Sequence, residues 1–139
     1  MTHLPDPIRQ SPDVTVHFCS AARQYEPLDS IQVRYDVDLP SGQVIRAVER
    51  SIVWYTEGKG EEDIGVHIFE RLIDRATADA ATGSFRGRLP ASPLSYEGVI
   101  VKIRWCVRVR LFFDAGRDFV SEHVFELGRV PAAAFPVRS

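Results

Sequence analysis

Cysteine is scarce in this chain. Cys19 and Cys106 are the only two, so neither a disulfide framework nor a thiolate metal site is expected to hold the fold. Two such thiols suit a reducing compartment, in which they behave as small apolar side chains and no bridge between them is expected. Histidine is as sparse. His3, His17, His67 and His123 show none of the short paired spacings that mark a zinc site, so no metal and no other cofactor is expected. Apolar runs are short, none reaching the ~18 residues of a membrane-spanning helix, which excludes an integral membrane segment of that kind. The opening residues MTHLPDPIRQSPD lack the apolar stretch of a signal peptide, and the expected location is cytoplasmic. An excess of one charge is also missing. Lys and Arg total 17 against 19 Asp and Glu, a formal net charge of −2, which argues against a nucleic-acid partner held by bulk electrostatics.

What remains is ordinary globular material: 139 residues, 45% hydrophobic and 26% charged, enough for one domain that buries roughly two thirds of its unfolded surface. The most informative stretch is Val99 to Phe113, VIVKIRWCVRVRLFF. Val99, Val101, Ile103, Trp105, Val107, Val109, Leu111 and Phe113 fall on one side of a strand, and Lys102, Arg104, Arg108 and Arg110 on the other. A helix would scatter the same residues around its circumference, since alternate positions lie about 200° apart.

The same period recurs along the chain. Residues 1 to 13 hold three prolines and no pattern, and read as an extended or disordered arm. Val14 to Phe18 is a short strand, and Ile31 to Leu39 alternates cleanly. The turn residues Pro40 to Gln43 introduce a strand from Val44 to Glu57, with an apolar and aromatic cluster at Ile52 to Tyr55. The charged, glycine-rich loop Gly58 to Asp63 should be exposed. Ile64 to Ala80 is ambiguous, because Val66, Phe69, Ile73, Ala76 and Ala80 also mark one side of a helix; its β-forming residues and Gly65 favour a strand to about Arg75. Gly83 to Leu89 is a short strand and Pro90 to Gly98 a connection. Asp114 to Gly116 make a hairpin turn, and Arg117 to Leu127 form the last strand before the tail 129 to 139. About seven strands and no convincing helix describe an all-β, antiparallel β-sandwich of immunoglobulin-like type spanning 14 to 128, with a closed barrel as its structural rival.

Three passages, in order, resemble the N-terminal domain of the arrestin fold, seen also in the arrestin-like retromer subunit and in bacterial sporulation-control relatives. Tyr25-Glu26-Pro27 resembles the family's tyrosine and proline loop, with Leu28 where glycine is usual. Glu62 to Val66, leading into Phe69 to Leu72, resembles an acidic loop entering a strand. Leu89-Pro90, Ser95 to Gly98 and Val101 to Val109 resemble a leucine-proline corner, a turn and a long strand. The resemblance covers Val14 to Leu127 and implies a strand at Ile64. It implies a binding or scaffolding module without catalysis whose loops and sheet edges meet a protein partner. Arrestins carry two such sandwiches, whereas one is present here, and none of the family's polar-core or phosphate-sensing residues maps onto this chain.

No motif identifies a reaction or a ligand. The row Lys102, Arg104, Arg108 and Arg110, spaced by about 6.8 Å per alternate residue, is a candidate anion or partner contact unless Asp36, Asp38, Glu122 or Glu126 neutralise it from neighbouring strands. The loops holding Gly58, Lys59 and Gly60, and Ser95, Tyr96 and Glu97, are candidate contacts for a protein partner. Ile100, Cys106 and Phe112 interrupt the charged face and form a candidate apolar interface, to be covered by a second copy in a homodimer or by the chain's own arm or tail. Trp54 and Tyr55 would be a stacking surface if the sandwich bound carbohydrate or an anionic small molecule. Catalysis has no support. Glu122 points away from Ser121 and His123 in a strand, so the three cannot form a relay, and GKGEED lacks the spacing of a P-loop.

Overall fold

The computed structural model describes residues 11–40, 42–60, 62–76, 82–114 and 116–128. The tail from 129 onward, most of the arm and the loop 77–81 lie outside them. Nine strands occur among the described residues, and no helix. They are β1 (Asp13–Phe18), β2 (Gln24–Tyr25), β3 (Ser30–Asp38), β4 (Ile45–Gly58), β5 (Ile64–Ala76), β6 (Gly83–Arg88), β7 (Tyr96–Glu97), β8 (Val101–Phe113) and β9 (Asp118–Leu127). One sheet has the order β1-β3-β6. The other has the order β2-β9-β8-β4-β5, with β7 also paired to β8.

The seven long strands are those the alternation marks, and the ambiguous segment from Ile64 is strand. The two additions, β2 and β7, are two residues long and too short to show a period. β2 runs parallel to β9, so the larger sheet is not wholly antiparallel.

Side chains from both sheets meet in one core. β3 contributes Ile31, Val33, Tyr35 and Val37; β4 contributes Ile45, Val48 and Ile52; β8 contributes Trp105, Val107, Val109, Leu111 and Phe113, all buried. Each such burial contributes roughly 1.5–3 kcal/mol. Trp105 also spends its one polar group well, Nε1 donating to the Pro93 carbonyl at 2.7 Å. Both expected turns close with a backbone hydrogen bond across four residues, Gln43 N–H to Pro40 O at 3.3 Å and Gly116 N–H to Phe113 O at 3.0 Å.

One boundary is corrected. Val99 does not belong to the long strand: it is 94% exposed. Tyr96 and Glu97 fold back against Ile103 and Lys102, and the chain reverses between them, Gly98 N–H donating to Val101 O at 3.1 Å. Val99 and Ile100 form the crown of that reversal.

Candidate functional site

The structure brings together the two loops singled out from sequence. Gly58 pairs with Val101 at the end of the β4–β8 ladder, and Lys59 N–H donates to Ile100 O at 3.2 Å. Gly58 has a φ of +135°, and a Cβ there would lie 2.1 Å from the Ile100 carbonyl oxygen, so this close approach requires glycine. Across β8, Lys102 reaches Glu97 at 3.1 Å, while Arg104 holds Glu57 at 2.5 Å and lies 3.7 Å from Glu97. Gly58, Lys59, Gly60, Tyr96 and Glu97 therefore share one end of the larger sheet. Ser95 is stitched to β9 instead, its N–H donating to Leu127 O and its hydroxyl accepting from Leu127 N–H. The concavity beside it is only about 40 Å³, far below the ~300 Å³ at which small-molecule pockets begin.

The basic row is neutralised. Besides the pairs of Lys102 and Arg104, Arg108 meets Glu122 at 2.6 Å and Arg110 meets Asp118 at 2.5 Å. Of the four acids expected as partners, Glu122 alone serves. Asp36 and Asp38 lie in the other sheet, where Asp36 is shared by His17 and Arg34, and Glu126 accepts from Gln24. These pairs are solvent-facing and contribute only about 0–1 kcal/mol each. The hydrogen bond to Glu57, together with the nearby carboxylates, raises the affinity of the Arg104 guanidinium for its proton despite partial burial.

Ile100, Cys106 and Phe112 do not assemble into a patch. Ile100 stands on the reversal, Cys106 is fully buried in a row with Val53 and Val124, and Phe112 lies under the guanidiniums of Arg71 and Arg110, at 4.7 and 4.9 Å from its ring centroid. Burial pushes the Cys106 thiol up to about 12. Trp54 and Tyr55 are both half-buried. Trp54 packs against the core and over Gly65, where a Cβ would fall 2.1 Å from its Nε1.

The more open surface is β5. It pairs with β4 alone, so its other backbone edge has no strand partner among the described residues. Ile64, Val66, Phe69 and Leu72 are 43–59% exposed along it. An unpaired edge with exposed apolar side chains is a template for a further strand. β5 directly continues the Gly58 to Asp63 loop, so this edge and the sheet end form one surface. At a register irregularity opposite Ile52 and Val53, the exposed His67 sits on the side of β5 that faces the smaller sheet. There its Nε2 lies 2.6 Å from the Arg88 carbonyl oxygen, to which it donates, and its ring edge faces Trp105.

One feature was not read from sequence, and two positions marked there gain a geometry. Arg50 occupies an inward position of β4 and ties the two sheets together, donating to Glu70 at 2.9 Å and to the Tyr35 hydroxyl at 3.1 Å while lying over the Phe85 ring. Desolvation opposes its charge, yet these hydrogen bonds outweigh it and its pKa is raised. The signal was a charged residue between the inward Val48 and Ile52. Leu28 adopts φ +71°, the left-handed conformation that glycine takes freely. Ser121 Oγ and His123 Nε2 are 2.5 Å apart, with Glu122 turned away to Arg108 as expected. Burial, then the charge of Arg23, lowers the His123 pKa.

No family model matches the chain, and no curated protein matches it. Among solved structures, the sporulation control protein Spo0M from Bacillus subtilis superposes with a TM-score of 0.62 at 15% identity, over 84% of this chain and 49% of that one. The fold is arrestin-like. At this identity the likeness carries the architecture alone, and the chain spans about half the length of Spo0M. No helix among the described residues is long and apolar enough to cross a membrane.

Proposed function

We propose that this chain is a non-catalytic protein-interaction module of the cytoplasm that takes an extended segment of a protein partner along the open edge of β5. The observation that carries this reading is the edge itself, thirteen residues long, with no strand partner on one side among the described residues and Ile64, Val66, Phe69 and Leu72 half in water. Main-chain hydrogen bonds along such an edge supply affinity, and alternate side chains supply selectivity. The sheet end carrying Lys59 and Glu97 flanks that edge and would orient the partner.

Capture from native lysate tests this, comparing the unaltered chain with Val66→Lys/Phe69→Lys and with Lys102→Ala. A partner retained by the first and third and lost by the second supports edge docking. An identical set of captured proteins for all three overturns it.

A further inference from the structure

The three-stranded sheet presents a polar outer face whose charges are sorted along the strands. The register places Asp13, Asp36 and Asp38 toward one end and Arg34, Arg86 and Arg88 toward the other. At the basic end is a concavity of about 550 Å³, lined by Cys19, Ser30, Ile31, Gln32, Arg86 and Gly87. That volume is within the range of small-molecule sites, about 300–1,000 Å³. No carboxylate of the described residues lines it. Asp29, beside Ser30, turns its carboxylate to the Glu26 N–H, and Asp36 is held by His17 and Arg34. Arg88 donates to the Leu28 carbonyl. Arg86 has neither hydrogen bond nor ion pair from its side chain among the described residues, unlike the four cations of the β8 row.

We propose that this concavity binds a phosphate group carried by a small molecule, with Arg86 as the principal ligand. A guanidinium offers a planar fork of donors that matches two oxygens of an oxyanion, and Arg86 has this fork uncommitted. Ser30 and Gln32 line the same space, and their side chains are of the kind that supplies neutral donors. Arg34 and Arg88, each one outward position along from Gln32 and Arg86 and so about 7 Å away, add positive potential. A phosphate suits this set better than a carboxylate because it carries roughly −1.5 to −2 charges and three terminal oxygens.

Cys19 makes the test direct, since it lines the concavity and is exposed while Cys106 is fully buried. The rate of its reaction with a dianionic nitrobenzoate disulfide is compared with that of a neutral dipyridyl disulfide, with inorganic phosphate or glycerol phosphate added at constant ionic strength. Phosphate should slow the anionic reagent in a saturable way, and Arg86→Gln should cut the reagent's rate advantage by about fivefold, the factor for one unit-charge contact near 4 Å in water. Arg86→Lys should retain part of the effect. Arg46→Gln, on β4, should retain all of it. Stronger protection by glycerol phosphate than by inorganic phosphate places the carrier in the concavity as well; equal protection makes the bare phosphate group the ligand. Acetate protecting as well as phosphate, undiminished protection in Arg86→Gln, or no shift of the Gln32 and Gly87 amide resonances on adding phosphate overturns the proposal.

Discussion

β8 and β5 are each thirteen residues long and both rich in large apolar side chains, yet their fates differ. In β8, Trp105, Val107, Val109 and Leu111 are wholly buried, because the strand lies between β4 and β9 and faces the second sheet. In β5, Ile64, Val66, Phe69 and Leu72 stay substantially in water, because the strand is a rim with one neighbour among the described residues. Alternation decides which way a side chain points. The number of flanking strands decides how much water it loses.

Substitutions that should separate the two regions most strongly begin in β8. Trp105→Ala should lower stability by about 3–5 kcal/mol, read as a shift of the urea midpoint, since it empties the centre of the aromatic cluster with Phe125 and leaves the Pro93 carbonyl unpaired. A loss below about 1 kcal/mol would break the contrast. Gly58→Ala should cost about 1–3 kcal/mol, because the residue sits at φ +135° and the new methyl meets the Ile100 backbone. Its urea midpoint tells whether the sheet end is as rigid as the middle of β8.

A pH titration of stability sharpens the comparison on the β9 side. The folded-state pKa of His123 is lowered from about 6.5 by burial, so the unfolded chain takes up a proton that the folded chain refuses. Its contribution is present above pH 6.5 and is lost as pH falls through the folded pKa. His123→Asn should flatten the thermal midpoint across that window; an unchanged slope would refute the assignment. The smallest effect belongs to the rim. Phe69→Ser should change stability by no more than about 0.5 kcal/mol, as for other surface positions. A large loss in the isolated chain would mean that Phe69 is packed, and β5 would no longer be an open edge.

The sandwich was legible because seven long strands carry their own period, and two faces of opposite polarity dictate two packed layers. The site was less so. The acids that neutralise the β8 row come from Glu57, Glu97, Glu122 and Asp118, on three different strands, and their choice depends on register. Period alone extends β8 back to Val99, whereas the pairing of Glu97 with Lys102 ends it at Val101. Arg50, a charge at an inward position of β4, is accounted for only by its partners Tyr35 and Glu70, which lie on other strands. Leu28 shows the opposite case. The resemblance marked the position, and the structure shows a positive φ there, a conformation that glycine takes freely.

The clasp of β2 on β9 has a bearing on how the molecule is made. Gln24 and Glu126 are 102 positions apart, and two residue pairs return little against the entropy of closing so long a loop, roughly (3/2)RT ln n plus a constant. Loop-closure cost thus favours closing the clasp after β8 and β9 have joined, and during synthesis Tyr25 meets its partner Leu127 only once nearly the whole described chain has left the ribosome.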